Sequence, residues 1–506
     1  MSGFVFFMLL AAQATERPNF VFLFTDDQSY LAMGCYGNKE IYTPNMDKLG
    51  EQGVIFDRHY NTTAICMASR ASVMTGMYEY KTGCNFQHGS MTRKIFSKSY
   101  PVLLREAGYY TGFAGKFGFA VTEKPTPSTQ HHAYDRLPVD AFDDWAGGLG
   151  QTSYKTAENK YIAQYAEKYP HSTRAYGAWA ADFLDRAKKS DRPFCLSIFF
   201  KAPHLPHNPD PFFDDLYAGK TFSKPRNFGQ ENGTHLATQA KMGRQYLSFH
   251  NKYGYFTQYD EKKRNYYQLI SGVDYALGMI RQELEERGLA DNTVIILTSD
   301  NGYSEGAHGF SGKCLPYEEP SRAPMIIYDP LHSAAKGSRI KAVTAGIDVA
   351  PTLLELAGLP IPENMDGKSL LPLLKKNRAR VREVLPLIQL YGSAPTLSLG
   401  MVSEDWKYVY WAFEGDGMTA TEELFHMSKD PLEMANLAKN PEFQKQLEWM
   451  RKQYDEKLVH WKNDGVNYNN YSSYVKIFNR TVPWEEKKDL YPKAPLASYQ
   501  KEIKKR

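Results

Sequence analysis

Two apolar runs far apart in the chain end in the same chemistry, and together they restrict what the chain can fold into. Phe20-Val21-Phe22-Leu23-Phe24-Thr25 stops at Asp26-Asp27-Gln28, and Val294-Ile295-Ile296-Leu297-Thr298 stops at Ser299-Asp300-Asn301-Gly302. Each run is apolar at successive rather than alternate positions, which predicts a strand buried on both faces. Such strands belong to parallel sheets covered by helices, where ligands sit beyond the carboxyl ends. The predicted class is therefore α/β. Alone, Asp26-Asp27 reads most simply as a turn and helix cap. Two such ends side by side place Asp26, Asp27, Asp300 and Asn301 around one point, an all-oxygen set suited to a hard cation such as Ca²⁺. No Cys/His spacing offers a zinc site instead.

The rest of the chain supplies the layers. Helical periodicity is expected from 42, over 99–109, 174–188, 266–284 and 348–358, and strands at 53–56, 111–116, 194–200 and 325–328. Residues 120–170 and 215–258 have little periodicity and are expected as loop systems over a site. A basic stretch at 375–382 marks the boundary between a catalytic domain, 15–380, and a smaller C-terminal part, 381–506. The latter shows antiparallel strands at 397–404, 406–412 and 423–426, and a long helix reached through 430–437. The tail from Asn463 carries Tyr468, Tyr471 and Tyr474, aromatics that pack on the body or stack on sugar.

A chain of 506 residues holds two domains, or one large domain with an appendage. Its net charge of +4, with lysines and arginines scattered, gives no nucleic-acid footprint. Residues 4–15, an apolar run closing in Ala-Gln-Ala, read as a secretory signal with 1–14 removed, although no lysine or arginine precedes it. A periplasmic or secreted protein is expected, with no stable membrane span. The five cysteines, Cys35, Cys66, Cys84, Cys195 and Cys314, form no recognisable disulfide framework, and an odd number leaves one for other work. Sequons at Asn61, Asn232, Asn470 and Asn479 are read as chance matches.

Cys66 is the natural candidate for that work. Ile65-Cys66-Met67-Ala68-Ser69-Arg70 runs into a helix closed by Thr75-Gly76, so Cys66 and Arg70 sit at a helix start that favours anions. This stretch resembles the signature of the type I sulfatases, Cys/Ser-x-Pro/Ala-x-Arg followed by Thr-Gly. Further stretches resemble that family in the same order, from about residue 18 to 440. They include Thr43-Pro44-Asn45-Met46-Asp47-Lys48-Leu49, Gly115-Lys116, Pro203-His204-Leu205-Pro206 and Gly312-Lys313.

The resemblance implies an alkaline-phosphatase-like α/β/α sandwich with a smaller C-terminal antiparallel sheet. It implies that a maturase oxidises Cys66 to formylglycine, whose hydrate is the nucleophile, with Cys66 also facing the Ca²⁺ held by Asp26, Asp27, Asp300 and Asn301. Arg70, Lys116 and Lys313 would bind the sulfate, and His204 would protonate the departing alcohol. The family's histidine two residues after the first lysine is replaced here by Gly118. A metal-ligand aspartate, His308 or water is left to accept the last proton. The expected substrate is a sulfated oligosaccharide or polysaccharide. Two other readings stand beside this one: a phosphomonoester or phosphonate hydrolase of the same fold, and an idle binder of sulfated glycans.

Overall fold

The computed structural model describes residues 17–127, 136–148, 150–251, 254–376 and 379–492; the expected signal sequence lies outside them. Eight principal strands form one twisted sheet: β1 Asn19–Thr25, β2 Val54–Tyr60, β3 Tyr110–Lys116, β4 Asp144–Gly148, β5 Phe194–Phe199, β6 Thr293–Ser299, β7 Met325–Tyr328 and β8 Ser338–Ala345. Their spatial order is β8-β2-β7-β6-β1-β5-β3-β4, with the short Arg322–Ala323 pairing beside β2. Among the eight, neighbours run parallel except β7, which is antiparallel to both β2 and β6; the short Arg322–Ala323 pairing is antiparallel as well.

The two runs that opened the sequence reading are central and adjacent, and all of their residues are buried. Their alternate side chains feed different cores. Val21, Leu23, Ile295 and Leu297 pack under the helices Ser172–Lys189 and Tyr259–Glu286. Phe20, Phe22, Phe24, Val294 and Ile296 pack under Cys66–Thr75, Tyr100–Glu106 and Val349–Leu356. Each large apolar side chain so buried contributes roughly 1.5–3 kcal/mol. The result is the three-layer α/β/α sandwich.

A second sheet of four antiparallel strands follows: β9 Leu385–Gln389, β10 Ser398–Val402, β11 Trp406–Trp411 and β12 Thr421–His426. The helices Gln444–Asp464 and Tyr471–Ile477 cover one face through Leu447, Met450, Tyr454, Tyr471 and Tyr474. The tail tyrosines Tyr471 and Tyr474 thus pack on the body.

Three local expectations change. The stretch 120–170 contributes β4 to the edge of the main sheet, a strand hidden in the sequence because Asp-Trp-Ala-Gly-Gly has no β-branched residue. β9 adds a strand ahead of the three expected there, and its Pro386 is tolerated because it lies on an edge strand paired on one side only. The long helix starts at Gln444, and 430–443 is turn and 3₁₀ structure, because Pro431 and Pro441 break the pattern before it.

Candidate active site

The register pairs Thr25 with Ser299 at the carboxyl ends of β1 and β6, so the acidic residues that follow must converge. Backbone bonds fix the turn: Asp26 N–H donates to Ala202 O (3.1 Å) and Asp300 N–H to Thr25 O (3.0 Å). Asp27 N–H donates to Asp300 Oδ1 (3.1 Å), and Asp27 itself adopts a left-handed φ of 70°. Asp26, Asp27 and Asp300 bring one oxygen each within 4.8 Å of one another. Asn301 joins them, its amide N–H₂ donating to Asp27 Oδ1 at 2.8 Å.

Cys66 is the first residue of a wholly buried helix, Cys66–Thr75, entered through extended Ile65 and closed by Gly76 at φ 67°, whose N–H donates to Ser72 O. One turn on, Arg70 enters the carboxylate cluster. Its Nε donates to Asp300 Oδ2 (2.9 Å), Nη2 lies 3.2 Å from Asp26 Oδ2, and Nη1 donates to Lys116 O (2.6 Å). The guanidinium also lies 5.3 and 5.5 Å from the ring centres of Phe24 and Phe199. Lys116, the last residue of β3, bonds Asp26 Oδ2. Lys313 bonds Asp27 Oδ1 and reaches to 2.8 Å from Cys66 Sγ, which itself lies 3.5 Å from Asp26 Oδ1. His204 places Nε2 3.9 Å from Asp27 Oδ2.

All nine residues singled out in the sequence are thus drawn to one place. His308 is not among their partners. It contacts Asn227 Nδ2 at 3.0 Å and the carbonyl of Asn232 at 2.8 Å, and faces Glu319 and Glu433, which corrects the suggestion that it stands in for the histidine replaced by Gly118. Asn61, at 2% exposure and bonded to Ser299 O, has no room for a glycan. All five cysteines are unpaired.

The electrostatics follow from packing three carboxylates against three cations away from water. Burial alone would raise Asp26, but Lys116, His204, Arg70 and Lys313 outweigh it and hold the group well below the usual carboxylate range. Asp300 goes the other way, pushed up to about 7 by burial and by the charge of Asp26. Burial, then Asp26, pushes the Cys66 thiol up to about 12. Lys313 stays charged because Asp27, Cys66, Asp26 and Asp300 overcome its burial.

One atom has no place in this balance. Asn301 Oδ1 is buried without a hydrogen-bond partner, although the Nδ2 of the same amide is fully used. An amide oxygen left bare beside three carboxylates is a ligand set for a hard divalent cation, so the residues fit Ca²⁺. Such an ion would also relieve the raised Asp300. It would turn three charges against three into an excess of positive charge, which an anionic ester neutralises.

Several supporting residues had no signal in the sequence. Tyr154, from the first long insertion, donates its hydroxyl to His204 O (2.6 Å), and Lys201 Nζ donates to Thr152 O (2.8 Å). Together they brace the histidine loop. Tyr266 OH donates to Asp27 O (2.6 Å) and accepts from Ser29 N–H (2.8 Å). Their partners lie 50 and 239 positions away in the chain, beyond any local pattern.

Gly118 has a specific reason. Its φ is +89°, and a Cβ there would lie 2.6 Å from Arg70 Cδ. The space beside it belongs to the arginine. Gly118→Ala is therefore expected to push Arg70 off Asp26 and Asp300 and to lower kcat/KM about 10²-fold, the scale of an ångström-sized misplacement. Steady-state kinetics on protein of unchanged melting temperature checks this, and wild-type kcat/KM in the variant contradicts it.

A three-layer sheet that gathers carboxylates and cations around one helix start belongs to the alkaline-phosphatase-like hydrolases of anionic esters. Within that class, the chain belongs to the sulfatase family, whose family model, Sulfatase, matches residues 18–359. It is accordingly a sulfuric ester hydrolase. A second match, N-sulphoglucosamine sulphohydrolase, C-terminal, spans residues 306–460. The chain is 28% identical over 513 residues to an N-acetylglucosamine-6-O-sulfatase of Bacteroides thetaiotaomicron, covering 87% of this chain and 88% of the relative. It is 28% identical over 475 residues to N-acetylglucosamine-6-sulfatase of Homo sapiens, covering 85% and 82%. A protein solved in complex with its substrate D-glucosamine-2-N,6-O-disulfate superposes with a TM-score of 0.76 at 25% identity, over 90% of this chain and 99% of that one. The phosphonate monoester hydrolase of Agrobacterium radiobacter shares the fold at a TM-score of 0.68 and 20% identity, over 89% and 96%.

Proposed function

We propose that this chain hydrolyses sulfate esters on a carbohydrate, with Cys66 matured to formylglycine and one Ca²⁺ held by Asp26, Asp27, Asp300 and Asn301. The observation that carries the reading is the convergence of Arg70, Lys116 and Lys313 on the carboxylate cluster beside Cys66. Relatives named for N-acetylglucosamine 6-sulfate chemistry support the carbohydrate. When present, the cation supplies charge neutralisation at the ester oxygens, and the hydrated aldehyde supplies the attacking oxygen. The work of the chain's own residues is then positioning and proton transfer.

Lys116 is held by Asp26 and Lys313 by Asp27, the latter 2.8 Å from Cys66 Sγ, and both are preorganised for the sulfate oxygens as charge builds. Arg70, locked by two carboxylates and a carbonyl, keeps its charge at the base of the pocket. His204 borders the same cysteine, one ligand atom each of His204, Asp26 and Cys66 lying within 4.8 Å of the others. Its Nδ1 lies 2.5 Å from Leu205 O, a carbonyl that can only accept, so Nδ1 carries the proton and the neutral ring has a bare Nε2 towards the site. Burial lowers this histidine to about 4, more than Asp26 and Asp27 raise it, although 19% of the side chain remains exposed. The negative charge of a bound ester favours the second proton, which Nε2 then passes to the leaving alcohol.

His204→Ala is expected to cost about 10²–10⁴-fold on alkyl sulfates, whose leaving oxygen is basic, and far less on activated aryl sulfates. Equal losses on both would remove the acid role. The carbohydrate assignment is tested by kcat/KM on defined sulfated oligosaccharides against an aryl sulfate. The sugars are expected to win, and the assignment fails if the aryl ester is preferred and no glycan releases sulfate.

A further inference from the structure

With Cys66 as a free thiol, the oxygens of its two aspartate neighbours divide into two sets. The close cation contacts fall on one oxygen of each: Lys116 and Arg70 Nη2 take Asp26 Oδ2, and Lys313 and the amide of Asn301 take Asp27 Oδ1. The other two oxygens face sulfur and imidazole. Asp26 Oδ1 lies 3.5 Å from Cys66 Sγ, with Lys313 no nearer to it than 3.7 Å, and Asp27 Oδ2 lies 3.9 Å from His204 Nε2. One ligand atom each of Asp26, Cys66 and His204 stands within 4.8 Å of the others.

Sulfur, imidazole nitrogen and carboxylate oxygen together are a donor set for Zn²⁺, whereas Ca²⁺ takes oxygen alone. Around a tetrahedral zinc, with bonds of about 2.0–2.3 Å, ligand atoms stand roughly 3.3–3.6 Å apart. The separation of Cys66 and Asp26 meets this, and that of His204 and Asp27 is slightly wider. The ring is also held as a metal-bound histidine is held, with Nδ1–H donating to Leu205 O and Nε2 bare. Charge points the same way. Asp26, Asp27 and Asp300 already match Arg70, Lys116 and Lys313 one for one, so a thiolate is a fourth negative charge in a dry pocket, which a divalent ion compensates. Lys313, 2.8 Å from the sulfur with 11% of its side chain exposed, swings outward to admit the ion.

We infer that the chain with Cys66 as a thiol binds one thiophilic divalent cation, Zn²⁺, through Cys66, His204, Asp26 and Asp27. Binding exchanges the thiol proton for the metal, and the proton leaves to solvent. Replacing the sulfur by oxygen removes the soft ligand and leaves a set that favours a hard cation. The atom carried at position 66 thus decides which metal the pocket takes. Zinc held there covers both the sulfur and His204 Nε2, which closes an unconverted molecule to esters.

The test uses the full chain expressed without a maturase, its thiol verified by peptide mass and its metals stripped. Cobalt(II) is titrated in as a coloured probe and then displaced by Zn²⁺. One equivalent of cobalt is expected to give the charge-transfer absorption of a sulfur–cobalt bond. X-ray absorption of the zinc form is expected to read one sulfur and an imidazole nitrogen. Cys66→Ser should lose the sulfur signal, and His204→Gln should weaken zinc by more than the roughly 10–100-fold that loss of an outer partner costs. Cys35→Ser, at a half-buried cysteine, should change neither. No bound zinc, zinc with only oxygen and nitrogen neighbours, a sulfur signal that survives Cys66→Ser, or unchanged affinity in His204→Gln overturns the inference. The absorption of the wild-type chain needs neither a variant that folds nor any turnover, so its failure is distinct from failure of the sulfatase reading.

Discussion

Cys66→Ala is expected to abolish turnover, with kcat falling at least about 10⁴-fold, as loss of a nucleophile does elsewhere. The argument turns on what the unmodified thiol can do. It sits at 2% exposure, and burial, then Asp26, pushes it up to about 12, so at neutral pH it is protonated and a poor nucleophile. Lys313, 2.8 Å from the sulfur, does not offset this. Activity is therefore expected to track the fraction of molecules in which Cys66 is oxidised, measured by peptide mass spectrometry on preparations matured to different extents. Fully active protein with an intact thiol would refute the formylglycine proposal. On the formylglycine proposal, the same burial requires Cys66 to be oxidised before the helix Cys66–Thr75 packs beneath the sheet.

The second large effect is expected at Asp300. Asp300→Ala should lose bound calcium and about 10³-fold or more in kcat. The side chain does three things: it completes the oxygen set with Asp26 and Asp27, accepts from Asp27 N–H, and pairs with Arg70 Nε. Its removal leaves the buried guanidinium short of a partner, a loss on the scale of 3–5 kcal/mol. Metal analysis separates the two consequences. Wild type is expected to hold one Ca²⁺ and to melt higher when calcium is added, because a ligand at 100 times its Kd stabilises by about 2.7 kcal/mol. The variant should show neither. Stoichiometric Ca²⁺ with normal turnover in Asp300→Ala would overturn the metal assignment.

Much of this was legible from the chain because the relevant signals are local. The runs ending at Thr25 and Thr298 announce buried parallel strands, and their shared edge puts Asp26 beside Asp300 without any knowledge of the intervening residues. The helix start at Cys66 and the stop at Gly76 are likewise local. What escaped is what depends on contacts at long range or on weak propensity. β4 is a strand because β3 offers it a partner, and its own Gly-Gly sequence argues otherwise. Tyr154 and Tyr266 matter through one hydroxyl each, and nothing in their neighbours marks them. Gly118 looked like a missing group, and only the position of Arg70 shows it to be reserved space.

Lys407 carries a different consequence. It projects from β11 in the second sheet, is fully buried, and pairs with Glu318 (2.7 Å) of the main body and Glu433 (2.8 Å) of the following loop. Glu318 N–H also donates to Glu433 Oε2 at 2.8 Å. Cutting the chain ahead of the second sheet would take the ammonium of Lys407 from Glu318, leave it Arg322 Nη1 at 3.3 Å, and uncover the apolar surface that the second sheet now buries. The two sheets therefore share a buried charge cluster. The segment that bears the cysteine and the segment that bears the tail are expected to melt in a single calorimetric transition, and two separate transitions would contradict this.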